Sequence, residues 1–244
     1  MHDHQESPDR HYRKVVSFVR RSPRMNQSQH KSWQRWHDRY VLDLPQGELE
    51  TQLAPQDPID LLAAFGRQAP LAVEIGSGSG ENLAAMALEH PDWNLLAFEV
   101  FEPAVARTFV RLAAAEVDNV RIVVADGADG LAQLVRPGQL QELWTYFPDP
   151  WHKVRHHKRR LVNTDFATLV ASRLTSQGRW RLATDWDRYA EAMREVLDHH
   201  PGLVNDSAEN GWAPRFPGRP LTRFEQRGLD AGRPVHDLCY RRVR

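Results

Sequence analysis

The sequence predicts an α/β fold in which a mostly parallel central sheet is covered by helices on both faces. Short apolar segments typical of buried strands alternate with segments of helical periodicity between residues 71 and 197. The first of these strands leads directly into a glycine-rich turn, and acidic residues follow the next two strands. Because parallel strands need helical crossovers, this alternation is typical of a sheet sandwiched between two helical layers.

The predicted elements follow one another in a regular order. Strands are expected at residues 71–75, 94–100, 120–125, 140–147, 179–184 and 235–243. Helices are expected at residues 57–66, 82–89, 103–116, 131–135, 166–174 and 189–197. Asp57 is the expected N-cap of the first helix, and Pro103 suits the first turn of the third. By pattern alone, residues 222–225 form a loop and Phe224 belongs to the core.

Length and composition indicate a globular chain. It has 244 residues, of which 41% are hydrophobic and 26% charged, which excludes wholesale disorder and collagen-like sequence. The single cysteine, Cys239, favours a reducing cytoplasm. We find no apolar run of membrane-spanning length and no signal peptide. We therefore expect a cytoplasmic protein with no membrane partner. A basic N-terminal arm is expected at 1–56, disordered over its first ten or so residues, and the main domain at 57–244.

The formal net charge of zero conceals three basic segments. Residues 1–40 contain nine Lys/Arg against four Asp/Glu, residues 152–160 five against none, and residues 214–244 eight against three. If the three segments converge in space, an otherwise acidic protein presents a basic face to a polyanion. Any one segment alone is better explained as a solvated surface.

The turn after the first predicted strand is a candidate binding site. It spans residues 74–80 (Glu-Ile-Gly-Ser-Gly-Ser-Gly) at the carboxyl end of a strand, where open parallel sheets bind ligands. Glu81 takes the last position of the dinucleotide fingerprint, and no P-loop lysine follows, so neither phosphate-binding motif matches. An acid two positions before the glycines resembles the cofactor motif of S-adenosylmethionine-dependent methyltransferases, with Glu74, Gly76 and Gly78 as candidate ligands. A tight turn without a ligand is the alternative.

Two further acids continue this pattern. Glu99 ends the second predicted strand, where a carboxylate can accept hydrogen bonds from both hydroxyls of a ribose. Asp126 follows the third strand, where a short acid can accept a hydrogen bond from the exocyclic amine of an adenine. Either acid alone is equally well explained as a solvated loop residue. Three acids at three successive strand ends are harder to ascribe to chance.

The most specific stretch follows the fourth predicted strand. Prolines on both sides fix the backbone around Asp149, and Trp151 offers a flat apolar face. Five Lys/Arg and three His lie within residues 152–160. A fixed acid, an aromatic plate and a basic run suit recognition of an extruded purine on a phosphate backbone. For either feature alone, an ordinary turn or a solvated helix face is the alternative.

On these residues the chain resembles the bacterial tRNA (guanine-N7)-methyltransferases, from about Arg13 to its C-terminus. The matching segments are residues 17–21, 24–25, 74–76, 99, 126, 147–151, 153, 156–160, 183–185 and 222–228. The resemblance implies a Rossmann-like class I methyltransferase fold with an antiparallel C-terminal strand. It also implies S-adenosylmethionine as methyl donor and N7 of the variable-loop guanine, position 46 of tRNA, as acceptor. Pro23 and His152 depart from the family pattern, and residues 229–233 match it loosely.

The resemblance also implies roles for individual residues. Asp149 is expected to be catalytic and to lie at the cofactor. Guanine N7 carries a lone pair and no proton, so the reaction needs alignment and stabilisation of the charge that develops on the purine rather than a general base. Arg20, Arg21 and Arg24 are expected to contact phosphates. The substrate-side residues are expected to be Lys153, Asp185, Thr222, Arg223, Phe224 and Glu225.

The sequence leaves other functions open. A small-molecule methyltransferase would not need the basic run, and a non-enzymatic RNA-binding module with a vestigial pocket would not need three strand-end acids. A nicotinamide dehydrogenase is disfavoured by Glu81. No metal site is expected, because His156 and His157 are adjacent and the chain has no cysteine cluster. Monomer and homodimer are both compatible with the sequence.

Overall fold

The computed structural model describes residues 24–49, 51–207 and 210–243. Its strands are β1 (Leu71–Ile75), β2 (Asn94–Phe98), β3 (Val120–Val123), β4 (Leu140–Tyr146), β5 (Leu174–Thr184), β6 (Leu203–Asn205) and β7 (His236–Arg242). They form one sheet in the order β3-β2-β1-β4-β5-β7-β6. Strands β1 to β5 run parallel, whereas β7 runs antiparallel to both β5 and β6.

Helices connect the strands in the alternation that the sequence predicts. Within the described residues they are α1 (Gln27–Tyr40), α2 (Leu61–Phe65), α3 (Glu81–Glu89), α4 (Glu102–Ala114), α5 (Gly127–Leu134), α6 (Thr164–Arg173), α7 (Asp187–Asp198) and α8 (Arg223–Asp230). A 3-10 helix, Val154–Arg159, follows β4. The predicted strands and helices up to α7 are confirmed, and most of their ends lie within a few residues of the predicted positions.

Alternate side chains of the strands enter two separate cores. On one face Val73 of β1 packs with Leu131 of α5 and Phe166 of α6. On the other face Ala72 packs with Phe109 of α4. Because β1 is buried on both faces, it is apolar at nearly every position rather than alternating. The predicted fold class, a mostly parallel sheet between two helical layers with an antiparallel C-terminal strand, is confirmed.

The first predicted helix is shorter than expected. The helix α2 begins at Leu61, because Asp60 rather than Asp57 is its N-cap and accepts hydrogen bonds from two backbone amides of the first turn, at 2.9 and 3.2 Å. Gly66 ends the helix with a φ of 73°, a left-handed conformation that favours glycine.

The prediction of a loop at residues 222–225 is wrong, because the helix α8 begins there. Thr222 is its N-cap, and its Oγ1 accepts a hydrogen bond from the backbone amide of Glu225 at 3.2 Å. A threonine followed three residues later by a glutamate is a helix-start signal that the scarcity of apolar residues obscured. Phe224 is 55% exposed, so its assignment to the core is also wrong.

The basic N-terminal arm contributes α1. Its rings pack on α4: Trp33 and Tyr40 lie 5.5 and 6.0 Å from the ring of Phe109. The first residues, which are expected to be disordered, lie outside the described residues, as do Arg20 and Arg21. The division of the chain at residue 56 stays a prediction.

Candidate active site

A cavity of about 400 Å³ opens at the carboxyl ends of β1 and β4. These strands are neighbours, but β1 continues into α3 on one face and β4 continues towards α6 on the other. Such a topological switch point is where open α/β sheets bind ligands. The glycine turn lines the cavity at the end of β1, and Tyr146 and Phe147 line it at the end of the neighbouring strand β4. Two segments complete it: Arg107 and Arg111 of α4, and residues 219–227 near the C-terminus.

The glycine turn leaves open space above its backbone. Gly76 and Gly78 have φ values of 76° and 56°, which residues with a Cβ rarely adopt. A Cβ built at either position meets no described atom within 4 Å. The turn is also fixed from below, because the backbone amide of Gly78 donates a 2.7 Å hydrogen bond to Oε2 of Glu99. The turn is therefore shaped for close approach of a ligand.

Glu74 is buried at the base of this cavity, with 4% of its surface exposed. Burial raises the pKa of its carboxyl group to about 7. The neighbouring Asn82 amide opposes this shift, and the Glu99 carboxylate reinforces it. Its Oε2 atom has no hydrogen-bond partner among the described residues. A buried acid in this state favours a cationic ligand, which restores the ionised form.

The other two strand-end acids lie outside the lining of this cavity. Glu99 accepts the bond from Gly78 and a second one, at 2.9 Å, from the amide of Phe101, and burial raises the pKa of its carboxyl group. Asp126 caps α5 by accepting hydrogen bonds from two backbone amides at 3.0 and 3.1 Å. Their expected contacts with the adenosine part of the cofactor stay predictions.

The residues of the cavity fit the amino-acid end of S-adenosylmethionine. Six buried side-chain atoms in its lining have no hydrogen-bond partner within the described residues: Glu74 Oε2, Ser77 Oγ, Asn82 Oδ1, Asn82 Nδ2, Tyr146 Oη and Arg219 Nε. Buried polar atoms without partners are rare in folded proteins. Their concentration at one cavity indicates a polar ligand, and the set contains both donors and acceptors.

The segment after β4 has an unusual backbone. Phe147 and Trp151 have φ values of 53° and 45°, which are uncommon for residues other than glycine and often occur at functional sites. Asp149, between them, is exposed and lies outside the residues that line the cavity. Burial raises the pKa of the Tyr189 hydroxyl to about 12, and the nearby Asp149 carboxylate adds to this shift. The catalytic role of Asp149 stays a prediction.

The basic run after Trp151 forms an exposed surface, made of Trp151, Lys153, Arg155, Lys158 and Arg159, which we call the basic surface. Its cations are exposed, and the guanidinium of Arg159 lies 5.0 Å from the centre of the Trp151 ring. The last arginine of the run is different. Arg160 is buried, and its Nε donates a 2.9 Å hydrogen bond to the carbonyl of Pro150, which fixes the Pro-Asp-Pro segment.

The predicted substrate-side residues near the C-terminus fall into two groups. Thr222, Arg223 and Phe224 line the cavity, and the Phe224 ring lies 5.2 Å from the ring of Phe147. Glu225 is 1% exposed, and its carboxylate accepts hydrogen bonds from two arginines.

Asp185 accepts a 2.7 Å hydrogen bond from Nε of Arg233. In the structure, Asp185 and Glu225 therefore position the C-terminal segment, and their expected contacts with substrate stay predictions.

Sequence reasoning missed several residues of the cavity. Tyr146 ends β4 next to the recognised motif, so its place at a strand end was an available signal. No local sequence pattern marks Arg219 as a site residue. It reaches the end of β4 only because the C-terminal segment folds back there. Other lining residues that were not predicted as site residues include Ser77, Ser79, Glu81, Asn82, Arg107, Arg111 and Arg227.

The described residues contain no group of three or more His, Cys, Asp or Glu side chains that could hold a metal ion. None of the helices in the described ranges is long and apolar enough to cross a membrane.

The fold and the site define a class I S-adenosylmethionine-dependent methyltransferase. The methyltransferase family model described as "Putative methyltransferase" matches residues 68–238. An rRNA methylase from Streptococcus thermophilus superposes with a TM-score of 0.50 at 15% identity, covering 75% of this chain and 92% of that one. The 16S rRNA methyltransferase KamB superposes with a TM-score of 0.51 at 16% identity, covering 78% and 96%. At these identities the similarity establishes the fold alone.

Sequence relatives define the family more narrowly. A tRNA (guanine-N7-)-methyltransferase of Cutibacterium acnes is 53% identical over 97% of this chain and 86% of its own length. One from a Nocardioides species is 45% identical over 96% and 89%. The chain belongs to the family of tRNA (guanine-N7)-methyltransferases.

The raised pKa of Glu74 predicts that its burial costs stability at neutral and alkaline pH. The carboxyl group titrates near 7 when folded, against 4.5 for the ordinary group. As the pH rises from 4.5 to 7, the unfolded chain therefore loses this proton first. Stability falls across this window by about 3 kcal/mol and stays reduced above it. Glu74→Gln should be more stable than wild type at pH 8, with the advantage disappearing by pH 4.5.

Urea unfolding of the ligand-free protein across this pH range measures the effect. Glu89→Gln, at an exposed position of α3, is the matched control and should follow wild type at each pH. Parallel pH curves for Glu74→Gln and wild type would contradict the assignment of the raised pKa.

Proposed function

We propose that the protein transfers the methyl group of S-adenosylmethionine to N7 of the guanine at position 46 in the variable loop of tRNA. Membership of the family supports this proposal. The observation that carries it is the position of the cavity, which lies between the glycine turn and the aromatic pair Phe147 and Phe224. A methyl donor held at the glycine turn and a purine stacked on the aromatic pair can meet there. S-adenosylmethionine supplies an electrophilic methyl carbon when it is bound.

On the donor side, the residues bind and orient. Glu74 and the open backbone of Gly76 and Gly78 are suited to the polar, cationic end of the donor. We assign Glu99 and Asp126, at the next two strand ends, to its adenosine part. This extended set of contacts fixes the direction in which the methyl group faces. For a displacement whose nucleophile needs no deprotonation, orientation is the main contribution that the protein can make.

On the acceptor side, the exposed ring of Phe224 beside Phe147 offers a face on which a purine can stack. Stacking of a base on an aromatic side chain contributes about 1–3 kcal/mol. Arg223, exposed at the same wall, and Lys153 of the basic surface are suited to phosphates.

We assign Asp149 to the guanine itself. Its carboxylate can accept hydrogen bonds from N1–H and the exocyclic N2 amine, and it stabilises the positive charge that the purine gains on methylation. Because Asp149 is exposed in the structure, this role requires that the carboxylate turn towards the cavity when the base enters. The flanking prolines restrict the backbone at Asp149, so this movement is a rotation of its side chain.

Two of the three basic segments lie at the carboxyl end of the sheet. The run at 152–160 follows β4, and Arg223 and Arg227 of the C-terminal segment line the cavity. The resulting positive potential suits a polynucleotide better than a small neutral substrate, which favours tRNA over a small-molecule acceptor. A cytoplasmic location belongs to the same proposal.

The proposal is tested by mapping the product. Unmodified tRNA transcripts carrying guanine or adenine at position 46 are incubated with the protein and methyl-labelled S-adenosylmethionine. We expect 7-methylguanine at position 46 of the first transcript and no label in the second. Label at another nucleotide would overturn the assigned position, and absence of label in both would overturn the activity.

Replacing Asp149 with asparagine should lower kcat by about 100-fold or more, because a neutral amide loses the charge stabilisation of the transition state. The Kd for tRNA should stay within about twofold, since phosphate contacts provide most of the affinity. Single-turnover kinetics and filter binding give the two values. Asp165→Asn, in the first turn of α6, is the control. Undiminished turnover of Asp149→Asn would show that the assigned role is wrong.

Removing one charge from the basic surface should weaken tRNA binding and its dependence on salt. For Lys158→Ala we expect the slope of log Kd against log salt to fall by about one, as for the loss of a single phosphate contact. Arg136→Ala removes an exposed charge from the loop before β4, at the opposite end of the sheet, and should leave the slope unchanged. Equal effects of both variants would contradict a localised tRNA interface.

A further inference from the structure

The unpaired polar atoms of the cavity divide by chemistry into two sides. On the side of β1 and α3 are two acceptors, Oε2 of Glu74 and Oδ1 of Asn82, each in a residue that is 4% exposed. On the side of β4 are a hydroxyl and a guanidinium N–H, from Tyr146 and Arg219. Asn82 Nδ2 is a further donor, and the Ser77 hydroxyl can act as donor or acceptor.

We infer that Tyr146 and Arg219 bind the carboxylate of the methyl donor's amino-acid group, while Glu74 and Asn82 bind its ammonium group. This inference rests on the proposed function, and it adds residues that neither the motifs nor the resemblance assign. A zwitterion satisfies the acceptors and the donors at once. A phosphate satisfies only the donors, because the Glu74 carboxylate repels it.

Arg219 is held through its two terminal nitrogens, which leaves the Nε–H group for a ligand. Its side chain is 1% exposed, and Nη1 donates to Glu225 at 2.8 Å. Its Nη2 donates to both carboxylate oxygens of Asp237, at 2.9 and 3.0 Å. The Nε–H group is buried in the cavity wall without a partner among the described residues. A guanidinium stays protonated, so this N–H can only donate, and an anionic oxygen is its best acceptor.

Tyr146 lies beside Arg219 at the end of β4. The guanidinium carbon of Arg219 lies 5.1 Å from the centre of the Tyr146 ring, so both donors belong to one wall. Burial raises the pKa of the Tyr146 hydroxyl well above its ordinary value, so the group stays an O–H donor at neutral pH. A hydroxyl without a partner is costly to bury, and a ligand carboxylate removes that cost.

The test compares two ligands that differ in the amino-acid group. S-adenosylhomocysteine carries it, whereas 5′-methylthioadenosine has the same adenosine and thioether and lacks it. Isothermal titration calorimetry of Tyr146→Phe should show a Kd for S-adenosylhomocysteine raised about tenfold or more, since hydrogen bonds to charged groups are strong. The Kd for 5′-methylthioadenosine should stay unchanged. Asn82→Ala, which removes the contact with the ammonium group, should show the same selective loss.

Tyr40→Phe is the matched control. Its hydroxyl is also buried and donates to the carbonyl of Val117, but it lies between α1 and α4. The ratio of the two Kd values should match that of wild type, and thermal unfolding by circular dichroism should show that all three variants are folded.

Two results would overturn the inference, and they are distinguishable. If wild type binds S-adenosylhomocysteine and both Tyr146→Phe and Asn82→Ala keep its affinity, or weaken both ligands equally, the subsite is wrong and the methyl donor stands. The affinity for S-adenosylhomocysteine would be kept in this way if Tyr146 and Asn82 bind the guanine of the substrate and not the methyl donor. If wild type binds neither ligand, the proposed function fails together with the inference.

Discussion

The buried ion-pair network around Arg219 is the interaction on which the site depends. Arg219 and Glu225 are each about 1% exposed, and Arg219 also holds Asp237 of β7. Charges can be buried at this depth only when they are paired, so the three residues fix one another's positions. Because Glu225 belongs to α8 and Asp237 to the sheet, the network places α8 over the cavity. The cavity wall that carries Phe224 exists only as a result.

A second set of contacts ties this wall to the glycine turn. Glu81, the first residue of α3, accepts a hydrogen bond from the backbone amide of Arg223 at 2.9 Å and one from Arg111 of α4 at 3.0 Å. The carboxylate of Glu81, which takes the last position of the dinucleotide fingerprint and breaks it, therefore connects α3, α4 and α8. The glycine turn and the helix that carries Phe224 are thereby held at a fixed separation, which is what a reaction governed by alignment requires.

Charge is arranged by depth in this site. The Glu74 carboxyl lies at the buried base, and exposed arginines, Arg107, Arg223 and Arg227, lie at the rim. An acidic base attracts the cationic donor, whereas a cationic rim attracts a polynucleotide. A chain with no formal net charge can thus bind two partners of opposite charge at one opening.

The sequence by itself determined the order of the elements from β1 to α7, the sheet buried on both faces and the positions of Glu74, Glu99 and Asp126 at strand ends. These features are local, because hydrophobic periodicity and turn residues specify them within a few positions. Only the tertiary structure decided that Tyr146 and Arg219, 73 positions apart in the chain, share one wall, and that Glu225 pairs with arginines. The physical reason is that the pairing of buried charges and hydrogen-bond donors over long distances in the chain depends on how the C-terminal segment returns to β4. Local sequence patterns do not specify that path.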